Sequence, residues 1–228
     1  MHILELRLTT DDLPRVRDFY LNTLAFPLVE ETPGSLTLGA GETRLVFEQG
    51  EAACYHVAFN IPENQFGEAK RWVANRVPLL TFQGKNEVHW SAWDAHALYF
   101  FDPAGNIMEF IARHRLPNAT NQPFSGKSIR QVSEIGLPVA NVRQASETLQ
   151  AELGVGVFDA GDGETFTALG GDYGLFITVK RGRAWFPTSD QFADFYPMTM
   201  TLHGAADKQV TLPDLPYRIE VKQSILTT

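Results

Sequence analysis

The stretch Tyr99-Phe100-Phe101-Asp102-Pro103-Ala104-Gly105-Asn106-Ile107-Met108-Glu109-Phe110 decides how the chain is read. It is two apolar, aromatic-rich runs separated by Asp-Pro-Ala-Gly-Asn. Proline presets one turn dihedral, glycine accepts a left-handed one, and Asp and Asn bond back to the backbone, so the five residues predict a tight turn between two strands. The strands are Ala95–Phe101 and Asn106–Ala112, and the second carries Glu109.

Working outward, this strand pair closes a larger unit. The unit opens at Tyr55-His56-Val57-Ala58-Phe59-Asn60, a strand, followed by a helical stretch to about Arg76 and a strand-like piece near Leu79–Phe82. The same order, βαβββ, recurs on both sides. Leu4–Thr9 alternates apolar and polar residues. It is followed by a helix to about Leu24, with Asp12 as N-cap and Pro14 in its first turn, and then by strands at Pro27–Glu31, Ser35–Leu38 and Thr43–Glu48. Ser133–Pro138 is followed by a helix to about Leu153 capped by Asn141, then by Gly156–Asp159, Thr165–Leu169 and Leu175–Val179. The tail offers strands at Pro197–His203, Lys208–Leu212 and Tyr217–Lys222 with no helix among them, so it reads as a fourth module that has lost its helix. Repeats on this scale set the whole architecture. The expected fold class is α+β: paired βαβββ modules forming half-open barrels, in two units, the last module degenerate. The polar segment Arg113–Lys127 reads as a linker, giving a first paired-module barrel over 1–115 and a second over 128–228.

Composition narrows the function classes. Among 228 residues, 44% are hydrophobic and 20% charged, which suits a globular chain with a sizeable core. A net charge of −8 argues against nucleic acid as partner, and Lys180-Arg181-Gly182-Arg183 reads as a solvated turn. No run approaches the roughly 18–20 apolar residues of a membrane helix, and the N-terminus reads as a strand, not a signal peptide. The single cysteine, Cys54, allows no internal disulfide. These features lead us to expect a cytoplasmic protein with a small-molecule ligand, no nucleic-acid or membrane partner, and a homodimer as one option.

Asp102-Pro103-Ala104-Gly105-Asn106 running into a strand with Glu109, together with the opening His56-Val57-Ala58-Phe59, resembles the vicinal oxygen chelate superfamily. That group comprises glyoxalases, bleomycin-resistance proteins and extradiol ring-cleaving dioxygenases. The resemblance covers residues 1–113 well, 129–180 in pattern only, and the tail hardly at all. It implies metal ligands on the first and last strands of paired modules. Carried over by position, these places are Glu5, His56 and Glu109, with Leu45 at a fourth place, where it cannot bind a metal. Relatives with two histidines and one glutamate would have histidine where this chain has Glu5. The implied cofactor is a divalent metal ion, Fe, Mn, Zn or Ni, and the implied function is a metal-dependent enzyme of the dioxygenase or glyoxalase-like lyase kind acting on a small oxygen-rich or aromatic substrate.

Tyr99 is the candidate catalytic residue, ten positions before Glu109, where resembling enzymes carry a substrate-touching tyrosine. Arg7, Asn60 and Trp93 are candidate substrate-binding residues. Each also has a plainer reading. Arg7 lies two residues from Glu5 on one strand face and can neutralise it, Asn60 can serve strand-end hydrogen bonding, and Tyr99 can be a core aromatic. Glu134 occupies the ligand place of the third module, but the second half offers it no partner ligands and reads as metal-free. Trp185-Phe186-Pro187 either packs between the halves or plugs a cavity. The rival function is a metal-free protein that sequesters a small apolar or cationic molecule, as bleomycin-resistance proteins do.

Overall fold

The computed structural model describes residues 1–223. In chain order the elements are β1 (Ile3–Thr10), α1 (Leu13–Asp18), β2 (Leu28–Thr32), β3 (Ser35–Ala40) and β4 (Thr43–Gln49) in module one. Module two holds β5 (His56–Ile61), α2 (Phe66–Ala74), β6 (Val88–Trp90), β7 (Ala95–Phe101) and β8 (Ile107–Arg113). Module three holds β9 (Gln131–Val139), α3 (Val142–Leu153), β10 (Val157–Asp159), β11 (Phe166–Gly171) and β12 (Gly174–Lys180). The tail gives β13 (Met198–His203), β14 (Lys208–Thr211) and β15 (Tyr217–Lys222), a module without a helix.

The caps behave as the sequence implies: Asp12 accepts from the Arg15 amide and Asn141 from the Gln144 amide. The first helix widens into a π-helical turn over Phe19–Thr23. The strand expected at Leu79–Phe82 does not form. Leu79 makes a single bridge to β7, at Phe100, Phe82 bridges Lys85 across a turn, and the edge strand of module two is β6 instead.

The strands form two sheets. Seven strands run in the order β14-β15-β13-β1-β4-β3-β2, and eight in the order β10-β11-β12-β9-β5-β8-β7-β6, the latter curled into a half-barrel. Both sheets run across the expected division at 115/128. Module two pairs with module three through antiparallel β5 and β9, and module one pairs with the tail through antiparallel β1 and β13. The Arg113–Lys127 segment is no inter-unit linker. Its Asn118 side chain accepts from the Glu63 amide, the Gln122 carbonyl accepts from Gln65, and Phe124 is buried against Trp72 and Phe110, so it straps α2 to the eight-stranded sheet.

One face of each sheet packs with the helices into a shared core. Leu6, Leu8, Phe47 and Met200 come from the seven-stranded sheet, and Val57, Phe59, Phe110, Ile135 and Phe176 from the eight-stranded one. Full burial of such side chains contributes about 1.5–3 kcal/mol each. The other face of the eight-stranded sheet carries a second, smaller cluster that includes Ala58, Ala97, Tyr99, Ile111, Ile177 and Trp185. The strands of this sheet are therefore buried on both sides, and β5, β8 and β9 show no exposed residue.

The Asp102–Asn106 turn sets β5 against β8. Asp102 Oδ1 accepts from the Ala104 and Asn106 amides, each at 2.9 Å, and Gly105 takes φ +84. Asn106 Nδ2 donates to Asp102 Oδ2 at 2.8 Å, while Asn106 Oδ1 accepts from the Tyr55 amide at 2.8 Å. The start of β5 is thereby fixed beside the start of β8, in parallel register, His56 with Ile107 and Ala58 with Glu109. Tyr20 donates to Asp102 Oδ2 at 3.1 Å and locks the first helix to the same point.

Candidate metal centre

The register writes one row of side chains across five strands: Tyr99, Glu109, Ala58, Glu134 and Leu175 are consecutive cross-strand partners on β7, β8, β5, β9 and β12. Partners in a row point to the same face. Ala58 is the only small residue between the two glutamates, so their carboxylates meet above its methyl group. His56, two residues before Ala58 on the same face, completes the group. One ligand atom from each of His56, Glu109 and Glu134 lies within 4.8 Å of the other two. His56 Nε2 is 3.5 Å from Glu109 Oε2.

All three are buried, with relative exposures of 6%, 2% and 3%. Burial disfavours charge and pushes the His56 imidazole down to about 4, so it is neutral at neutral pH. Its Nδ1 faces the Ile107 carbonyl at 3.3 Å, a contact that places the proton on Nδ1 and leaves the Nε2 lone pair toward the glutamates. Burial, then the Glu134 charge, raise the Glu109 carboxyl well above the usual carboxylate range. Burial also raises Glu134, opposed by Arg113. Arg113 is wholly buried. It donates to Glu134 Oε1 and to Ser133 Oγ at 3.1 Å, and lies 3.7 Å from Asp172. Its guanidinium also sits 5.5 Å from the Trp93 and Phe158 ring centroids.

The group forms the floor of a cleft of about 340 Å³ walled by Trp90, Trp93, Tyr99, Phe166, Trp185 and Phe186. The Trp185–Pro187 segment is cover, not inter-half packing. Trp185 lies over His56 with ring centroids 5.3 Å apart and the rings tilted by 38°, and it fits because residue 136 is glycine; a Cβ there would meet Trp185 Cη2 at 2.5 Å. Trp90 Nε1 donates to the Tyr99 hydroxyl at 3.1 Å, and Trp93 Nε1 to Asp159 Oδ2 at 2.9 Å.

The sequence-derived set divides. His56, Glu109, Tyr99 and Trp93 reach this cleft. Glu5 does not: it lies on β1 of the other sheet, paired with Arg7 at 2.7 Å and with Arg44 at 3.2 Å, because module one faces the tail and not module two. Arg7 bridges Glu5 and Glu48 there, the plainer of its two readings. Leu45 is buried in the shared core, and the register puts Val46, not Leu45, opposite Arg7 as the counterpart of Glu109. Asn60 is buried and donates to the Asp172 carbonyl at 2.8 Å, again the plainer reading. The residue that sequence reasoning misses is Glu134, which takes the third place. The signal is present, since Glu134 holds in module three the place His56 holds in module two, and only the expected pairing of modules hides it. The fourth place, by the same register, is Ile177, partner of Gly136.

No protein-family model and no curated protein matches the sequence. Solved structures do. A "putative dioxygenase" from Bacillus subtilis subsp. subtilis str. 168 superposes with TM-score 0.65 over 98% of this chain and 86% of its own, at 13% identity. Glyoxalase I from Zea mays superposes with TM-score 0.56 over 96% of this chain and 91% of its own, at 10% identity. The chain shares its overall fold with these two proteins. Within that fold, the half-barrel built from modules two and three holds the ligand-competent group. The corresponding face of the seven-stranded sheet holds the Glu5–Arg7–Arg44–Glu48 ion-pair ladder.

Proposed function

We propose that the chain is a metal-dependent enzyme of the dioxygenase or glyoxalase-like lyase kind, with His56, Glu109 and Glu134 holding a divalent ion and a small oxygen-rich or aromatic substrate bound in the cleft above them. The observation that carries this reading is the convergence of one imidazole and two carboxylates from three neighbouring strands within 4.8 Å in an otherwise aromatic cleft. The donor set fits a borderline or hard divalent ion such as Fe, Mn, Zn or Ni. Such an ion, when bound, supplies a Lewis acid with open positions for adjacent substrate oxygens.

The protein's own groups do the rest. His56 offers a neutral Nε2 whose orientation is set by the Ile107 carbonyl. Burial and the Glu134 charge raise the Glu109 carboxyl, so a cation binding there would compete with a proton. Arg113 holds the Glu134 carboxylate in one orientation and offsets its charge. Tyr99, held by Trp90, presents its hydroxyl beside Glu109 as the residue touching substrate. Trp185 and Phe186 keep bulk water from the floor, which strengthens every charge interaction there.

A second reading is favoured by one observation, the Arg113–Glu134 pair. It already satisfies a carboxylate without any ion, as suits a metal-free binding protein of the bleomycin-resistance kind. Metal content separates the two. Protein purified without a metal-binding tag should carry or take up close to one equivalent of Fe(II), Mn(II), Zn(II) or Ni(II), and His56→Ala and Glu134→Gln should lose it. Equal, near-zero occupancy in all three proteins sinks the enzyme reading and leaves the sequestering one.

A further inference from the structure

Arg183 differs from the arginines around it. Arg113 pairs with Glu134, Arg115 with Asp172 and Arg181 with Asp194. Arg183 has no acidic partner among the described residues, yet it is half-buried and lines the cleft as its only Arg or Lys. Its guanidinium lies 5.4 Å over the Phe166 ring. The backbone beneath it is fixed on both sides, since its amide donates to the Lys180 carbonyl at 3.0 Å and its carbonyl accepts from the Ala193 amide at 2.8 Å. It is therefore a cation presented to the cleft by a braced loop and left uncompensated there.

The acids of the cleft are already engaged. Asp159 accepts from the Trp93 indole and from the Gly161 amide, Glu134 from Arg113, and Glu109 sits against His56. The walls are rings: Trp90 and Phe186 meet edge to face at 5.2 Å, and Tyr99 and Phe186 at 5.3 Å. Flat aromatic walls favour a flat ligand body, and a volume of about 340 Å³ is at the small end for ligand cavities, room for one or two fused rings. A guanidinium left without an anion inside such a wall matches a carboxylate by its fork of donors.

We propose that the cleft selects small aromatic carboxylates and that Arg183 is the residue that reads the carboxylate. The inference rests on the cleft being a ligand site, as proposed above, but it does not require the metal.

The test is binding of three matched acid–amide pairs, benzoate and benzamide, cinnamate and cinnamamide, 2-naphthoate and 2-naphthamide. It is read by calorimetry and by quenching of the cleft tryptophans. At least one acid should bind, and its neutral, near-isosteric amide should bind on the order of 10- to 100-fold more weakly, the range expected of one charge-assisted contact. Arg183→Gln should bind acid and amide alike with an unchanged melting temperature, and Arg183→Lys should keep part of the preference. Equal binding of acid and amide to the wild type, an undiminished preference in Arg183→Gln, or no binding of any acid overturns the proposal. Metal content of the same preparations scores the metal reading separately. Normal metal without acid preference removes only carboxylate selection, and acid preference without metal removes only the metal centre.

Discussion

Replacing Arg113 with Met removes a buried cation while keeping an unbranched stem of similar reach. In the native fold this guanidinium offsets Glu134, donates to Ser133 and lies among Trp93 and Phe158. Arg113 has no exposed surface and Glu134 retains 3%, so solvent cannot take over the pairing. Removing one member of a buried pair costs about 3–5 kcal/mol, because the other is left uncompensated. That is a large share of a typical folding stability of about 5–15 kcal/mol. With a urea dependence of about 2–3 kcal/mol per molar, the midpoint should fall by about 1–2.5 M. Two further arms isolate the cause. In Arg113→Met/Glu134→Gln the orphaned charge is gone, and most of the loss should return. Adding Mn(II) or Zn(II) to the single variant should also restore stability, since a cation at the same carboxylate replaces the missing one. The assay is equilibrium urea denaturation followed by tryptophan fluorescence, in chelator and in metal. A single variant whose midpoint in chelator stays within about 0.2 M of wild type, or a double variant no more stable than the single, would refute the argument that Arg113 compensates Glu134.

Relative to His56→Gln, the metal-free wild type should lose stability as pH falls from about 6.5 toward 4, on top of the opposite slope set by the buried Glu109, Glu134 and Asp102 carboxyls, whose raised values stabilise the fold as they take protons. Buried His56 stays neutral in the native state down to about 4, whereas the unfolded imidazole takes its proton near 6.5, so its contribution is full above that value and is lost below it. The wild-type minus His56→Gln difference should change by about 3 kcal/mol across that window; a difference that stays constant in pH-resolved denaturation counts against a buried neutral imidazole. Gly136→Ala should destabilise by about 1–3 kcal/mol and shift the tryptophan emission, because the new methyl meets Trp185 at 2.5 Å and His56 Cβ at 3.2 Å. A variant with wild-type stability and spectrum would show that Trp185 does not sit over His56.

The modules are legible in the sequence because each is local. Alternation, capping residues and the Asp102–Asn106 turn all act within about a dozen residues, and those signals place nearly every strand. The fourth, helix-less module is readable for the same reason. The pairing of modules is not legible. Whether β5 bonds to β1 or to β9 depends on edges brought together from distant parts of the chain, and no local pattern records the choice. That single long-range fact exchanges Glu5 for Glu134 in the candidate site, while His56 and Glu109, both within one module, are unaffected. Arg113 and Arg183 read as linker and solvated turn because one ends a strand and the other lies in the loop just after one, where sequence alone does not tell solvent from cleft. The strand expected at Leu79–Phe82 fails where Pro78 and the Gly84 turn break the run and only one bridge to β7 survives.

The nested pairing has a consequence for the order of assembly. Modules two and three are neighbours in sequence, so β5 and β9 can meet by closing a loop that the rest of module two fills. The Ile3–Leu202 pairing joins points almost the whole chain apart. Contacts of such separation carry the largest entropic cost and form slowly. On a ribosome, the half-barrel with the candidate centre can be complete while β1 still lacks its antiparallel neighbour. The chain then closes like a ring, with its last-made strands sealing its first.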